Sequence, residues 1–160
     1  MNTKEELIEA MEAELEPKFL FFWSHKPGKP KNCLSQWFDS PFTVEGTQYA
    51  TAEHWMMAGK ARLFHDNAAL ERILAATHPG EVKQAGREVT PYHPEEWETH
   101  KFAIVVEGNF HKFAQRPDLR EFLIGTGDRV GGEAAPNDGI WGIGIDEHDP
   151  RAPHPAQWPG

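Results

Sequence analysis

The chain has 160 residues, 39% of them hydrophobic and 26% charged, with a formal net charge of −9 and a single cysteine, Cys33. That length suits one domain with a proper core and is short for two, while one thiol excludes an internal disulfide framework. The acidic balance disfavours a general nucleic-acid binder. With no basic-then-apolar opening and no apolar run of about 18 residues, a soluble, cytoplasmic protein without a membrane partner is expected.

Thr3 and Glu6 stand at capping-box spacing ahead of the apolar stripe Leu7, Ile8, Met11 and Leu15. This predicts a short amphipathic helix over residues 3–15, ended by Pro17. We read residues 1–16 as a helical extension and residues 17–160 as the domain. Residues 19–23 are apolar and aromatic and read as a buried strand. Residues 24–32 form a loop with three lysines, which is either solvated or reaches an anion. Residues 42–49 alternate and turn at Gly46, a strand and hairpin leading to a helix capped by Thr51 and running to about Phe64. Asp66 caps the next helix, with Leu70, Ile73 and Leu74 facing the core.

Pro79 opens a short helix carrying Val82, Lys83 and Arg87. His93-Pro94 opens the longest helical pattern, to about Ala114, with Trp97, Ile104, Val105 and Phe113 along one side. Pro117 starts a further helix, stopped by Gly125 and Gly127. Residues 129–134 read as a short strand. From Ala135 onward Gly, Pro and Asp dominate without apolar periodicity, a length of loop that serves a site or is disordered; Trp141 and Trp158 argue against disorder. The sum is a single, mostly helical α+β domain with a small β-sheet.

Glu53 falls in the first turn of the helix capped by Thr51. Exposed N–H groups there favour an ionised carboxylate by roughly 0.3–1 kcal/mol, which is by itself a complete structural explanation. Lys60 adds a functional one. It lies seven residues on, about two turns, so it shares the face of Glu53 yet is too distant for a routine surface ion pair. A carboxylate and an amine bordering one space suit a ligand between them. Downstream, Asp138 sits in a turn signature and is followed by Trp141, Gly142, Ile143 and Gly144. Glycine beside tryptophan lets backbone approach a ligand while the indole stacks on a flat ring. Arg87 and Lys83 are candidates for gripping phosphate, the first bidentately, the second as a point charge. Trp97 reads as core or as a base-stacking ring. The nine histidines show no metal-ligand spacing, and there is no phosphate-binding loop and no nucleophile elbow, so neither a metal nor a cofactor is expected.

In order along the chain, Phe19 to Trp23, Leu34-Ser35 with Phe38, Phe42 to Tyr49, Thr51-Ala52-Glu53-His54 through Lys60-Ala61 and Phe64, Lys83 with Gly86-Arg87, Trp97, Lys112-Phe113, Leu123 to Gly127 and Asn137-Asp138-Gly139-Ile140-Trp141-Gly142 with Gly144 resemble the NADAR family. The resemblance implies a small α+β fold and hydrolysis of the bond joining a ribose carbon to a base nitrogen. Two substrate classes come with it: ADP-ribose on guanine, free or within nucleic acid, and phosphoribosylated intermediates of riboflavin synthesis. It implies that Glu53, Trp97 and Asp138 are active-site residues and that Lys60, Arg87 and Trp141 line the pocket.

Two departures stand out. The family's Ser-Asn-Phe pattern is here Ser35-Gln36-Trp37-Phe38. The family's closing C-terminal helix is also not evident before Trp158, which leaves open a chain that stops short and a protein lacking that helix. On this reading Glu53 stabilises positive charge at the sugar carbon, and Asp138 orients water or holds ribose hydroxyls. Lys60 either attacks an opened ribose as a nucleophile or pairs with Glu53 or a phosphate. The competing class is a non-catalytic module that binds NAD-derived nucleotides. Oligomeric state is not legible.

Overall fold

The structure, a computed structural model, describes residues 3–160; residues 1 and 2 of the expected extension lie outside the described residues. The elements run α1 (Lys4–Glu12), β1 (Phe19–Phe22), a 3-10 turn (Pro30–Leu34), β2 (Phe42–Val44), β3 (Thr47–Tyr49), α2 (Ala52–Leu63), α3 (Asn67–Ala75), α4 (Pro79–Arg87), α5 (Pro94–Gln115), α6 (Pro117–Gly125), β4 (Val130–Glu133) and a 3-10 turn (Pro155–Gln157). Helices dominate two short pieces of sheet, the α+β class expected. No helix among the described residues is long and apolar enough to cross a membrane. The elements group into two compact units.

Gln36–Glu121 forms the helical unit. Its centre is α2, which buries Ala52 to Ala58 and Ala61. A helix covered on most sides needs close neighbours, and glycines supply them. On α4, a β-carbon at Gly86 would lie 2.0 Å from Met57 Sδ; on α5, one at Gly108 would lie 2.3 Å from Trp55 Cδ1. The α2 ridge therefore meets bare backbone on both partners. Ahead of α2, β2 and β3 pair antiparallel with Phe42 opposite Tyr49. The turn between them places Glu45 at φ 49° and Gly46 at φ 80°, the left-handed pair that suits a two-residue hairpin.

The caps fall where the sequence puts them. Asp66 accepts from Ala69 N at 2.9 Å and also from Thr90 N at 2.9 Å, joining the start of α3 to the loop beyond α4. These backbone N–H groups hold the Asp66 carboxyl below its usual range. One core expectation fails. Ile73 is fully buried, but Leu74 is 38% exposed, because α3 faces the core through Ala69 and Ile73 and Leu74 lies a further 100° round the helix.

The other unit comprises the chain up to Ser35 together with Phe122–Gly160. Here β1 and β4 pair in parallel, from Phe19 opposite Val130 to Phe22 opposite Glu133. The expected buried strand is half-buried throughout and stops at Phe22, leaving Trp23 exposed, since a two-stranded ribbon covers little of its own faces. Ala134, Ile143, Ile145 and Ala152 form a small core, with Phe21 and Trp158 packed on it. Lys4 Nζ donates to Trp158 O at 2.8 Å and to Gly160 O at 3.0 Å, tying α1 to the last residues.

The segment after β4 is organised by its aspartates. Asp138, Asp146 and Asp149 each accept a backbone N–H from two residues on, so the Asp-rich composition makes turns where helices are absent. The one regular piece among the described residues there is the 3-10 turn at Pro155–Gln157.

Candidate active site

Thr51 caps α2 by accepting from His54 N at 3.3 Å, and its hydroxyl lies 2.8 Å from His54 Nδ1. His54 Nε2 lies 3.0 Å from Ala76 O. A carbonyl only accepts, so Nε2 carries a proton and donates to Ala76 O. This buried histidine pins the start of α2 to the end of α3. Between the two pinning residues stands Glu53. Its N–H donates to Gln36 O at 3.0 Å, and the residue is 3% exposed. The sequence reading sets Glu53 beside a space for a ligand; the structure buries the residue, because the whole first turn of α2 is covered. A carboxylate so placed works in a medium where charge interactions are strong.

Lys60 ends two turns along. Its Nζ donates to Gly86 O at 2.7 Å, lies 4.2 Å from the ring centre of Tyr92 and 5.7 Å from that of Trp97. The sequence left open a pairing with Glu53; the structure gives Lys60 a carbonyl and two ring faces in its place. Partial burial lowers the Lys60 pKa from its ordinary value, because desolvation penalises the ammonium. Trp97 is buried at the start of α5, and its ring serves both core and Lys60. Of the expected phosphate grip, Arg87 closes α4 with an exposed side chain. Lys83 Nζ lies 6.0 Å from the ring centre of Trp37, a residue that also packs edge-on against His78. The helical unit thus gathers Lys60, Trp97 and the Gly86-Arg87 backbone, with Lys83 one turn before Arg87 on α4 and beside the Trp37 ring. A shallow groove of about 700 Å³ between α3 and α4, lined by Arg72, His78, Gln84 and Glu88, contains none of the expected residues.

The sequence reading gives Lys112 and Gln36 no part in the site. Lys112 is fully buried on α5, with its Nζ 5.2 Å from the Phe113 ring centre and 5.9 Å from that of Phe38. The signal was the phase of α5: Trp97, Ile104, Gly108 and Lys112 fall on one helical side, which places a lysine on the covered face. Gln36, where the chain departs from the family pattern, donates from Nε2 to Asn109 Oδ1 at 3.0 Å, so the altered segment is fastened to α5.

In the other unit, Asp138, Trp141 and Gly142 share one turn. Asp138 Oδ1 accepts from Ile140 N and from Trp141 N, each at 3.0 Å, which fixes the carboxylate and the loop together. Trp141 is half-buried. A β-carbon on Gly142 would lie 2.9 Å from both Asp138 O and Glu133 O, so the close approach that requires glycine is made by the protein's own backbone. Among the described residues no group of three or more His, Cys, Asp or Glu side chains is arranged to hold a metal ion.

Comparison with known proteins gives this arrangement a context. An N-glycosidase of Acanthamoeba polyphaga mimivirus is 38% identical over 89% of this chain and 88% of its own length. A riboflavin biosynthesis protein of Vibrio vulnificus is 27% identical over 78% of this chain and 33% of its own length. The solution NMR structure of YbiA from Escherichia coli superposes with a TM-score of 0.71 at 25% identity, covering 88% of this chain and 82% of that one. The NADAR domain family model matches residues 21–160, and the chain belongs to that family.

Proposed function

We infer that this protein is an N-glycosidase that hydrolyses the bond between ribose and a base in a phosphorylated, nucleoside-like substrate. The observation that carries the reading is the pair on α2: a buried carboxylate in its first turn and, two turns along, an amine held by neutral groups. Breaking an N-glycoside builds positive charge on the ribose carbon and ring oxygen. A fixed anionic oxygen in a dry site stabilises that charge and activates water, or attacks the carbon directly. Glu53 is assigned this part. Lys60, whose amine loses its proton more easily than an exposed lysine, is assigned attack on an opened ribose aldehyde or direct contact with the sugar phosphate. Trp97 is assigned stacking, and Arg87 with Lys83 the phosphate, whose remote binding aligns the sugar for attack. Asp138 is assigned the ordering of water or ribose hydroxyls, and Trp141 with Gly142 contact to the base. Residues 17–160 are assigned to the domain and 1–16 to its extension.

The names of the relatives support the bond type. The substrate within it is our proposal: ADP-ribose on guanine, or a phosphoribosylated riboflavin intermediate. Paired incubation with an ADP-ribosylated guanine nucleotide and with such an intermediate separates them by the sugar phosphate released. Saturable binding of either without release would replace the enzyme by a nucleotide-binding module. Borohydride trapping during turnover, read by mass spectrometry, tests the covalent part given to Lys60; an unmodified Lys60 removes it.

A further inference from the structure

We propose that Tyr92 is a positioning residue for Lys60, a neutral clamp that holds the side chain against the Gly86 carbonyl where a carboxylate would be the ordinary partner. The proposal rests on the reading that places Lys60 in the active site.

Three groups meet Lys60 Nζ. Gly86 O from α4 accepts a hydrogen bond at 2.7 Å, the Tyr92 ring from the loop before α5 lies 4.2 Å away, and the Trp97 ring from α5 lies 5.7 Å away. Of the three, only Tyr92 brings an ionisable group. No carboxylate of the described residues comes within ion-pair distance of Nζ. The Tyr92 ring is itself braced. Phe64, the C-cap of α2, meets it edge-on with ring centres 5.4 Å apart and is 3% exposed. Residues 60 and 64 are one turn apart, so α2 supplies both the cation and the brace of the ring that covers it. Tyr92 is 42% exposed, so one face meets the ammonium while the rest of the ring borders solvent.

The choice of a ring has a chemical consequence. A carboxylate at this place would orient Lys60 and hold it strongly in the charged form. A ring face orients the cation through its quadrupole and through van der Waals contact, with a weaker hold on the proton. Burial then favours the neutral amine without an opposing anion. An amine that must attack a carbonyl, or take up a proton during turnover, needs both a fixed direction and a reachable neutral form. Tyr92 meets both needs. Its loop position carries no helical or strand periodicity, which is why the sequence does not single it out.

The test is competitive acetylation of the lysines in the full chain across neutral to strongly alkaline pH, with Lys60 labelling read by mass spectrometry and normalised to its own plateau. Tyr92→Ser is expected to move the Lys60 midpoint upward, cutting its relative labelling below the midpoint by about tenfold for each unit moved. Tyr92→Phe is expected to keep the wild-type midpoint, since the ring and not the phenol does the holding. Tyr92→Glu is expected to move it further than Ser. Should the serine variant lose its native circular dichroism, the glutamate and phenylalanine variants decide. A midpoint unmoved by Glu, or moved by Phe as far as by Ser or Glu, overturns the proposal. Full activity in Lys60→Ala would remove Lys60 from the reaction and leave the labelling result standing. An inactive Lys60→Ala with unmoved labelling in the Tyr92 variants would sink the clamp alone.

Discussion

In the helical unit, Glu53 and Lys60 project from a helix whose place is set by other residues: the Thr51 cap, the His54 pin and the glycines of α4 and α5. In the other unit, Asp138 shapes the loop that carries it, because its own carboxylate closes the turn through Ile140 and Trp141. The contrast bears on what a substitution can reveal. Where packing holds the backbone, a changed side chain reports on chemistry. Where the side chain is also the scaffold, the same change reports on chemistry and structure together, and only a substitution that keeps the turn can part them.

The largest expected effect follows from the first case. Glu53→Gln should fold and lose activity by about 100-fold or more, the scale of a lost charge-stabilising group. Near-normal turnover in this variant would take Glu53 out of the mechanism. The packing that holds α2 is probed next. Gly108→Ala drives a methyl into the Trp55 indole, 2.3 Å from its Cδ1, and should destabilise by about 1–3 kcal/mol, seen as a lower urea midpoint. An unchanged midpoint would mean that α5 slides freely on α2.

Asp138 supplies the sharper comparison. Asn keeps an acceptor oxygen for the turn and removes the charge, while Ala removes both. If the charge serves the reaction, Asp138→Asn melts like the wild type and loses activity about tenfold or more. If the turn is its whole purpose, Asn is active and Ala alone is impaired. The smallest effect lies in acid. Hydrogen bonds from Arg151 pull the Asp149 carboxyl from 3.8 down to about 2. A depressed carboxyl contributes stability that is fully present above 3.8 and is lost as pH falls through about 2. Urea midpoints of wild type and Asp149→Asn should therefore differ slightly near neutrality and converge toward pH 2. A constant gap across that range would contradict the linkage.

Local chemistry was legible in the sequence. Thr51, Asp66, Pro79 and Pro94 mark helix starts that the structure keeps, since caps and prolines act within a few residues. Pairing at a distance was not. That Phe19 lies beside Val130 in a parallel ribbon depends on which half-buried edges meet, and neither strand encodes its partner. Lys112 was readable as a lysine on a buried phase, but only its 0% exposure reveals how completely its side chain is enclosed. For Glu53 the sequence supplied the residue and the turn of helix; its burial comes from the chain at Gln36 and the packing around α2.

The most direct test is a crystal structure of the wild-type protein with a bound sugar-phosphate product. The account predicts a carboxylate oxygen of Glu53 at about 3–3.5 Å from the anomeric carbon, the separation of groups poised to react. A product bound with that carbon well away from Glu53, and the carboxylate still enclosed by protein groups alone, would contradict it.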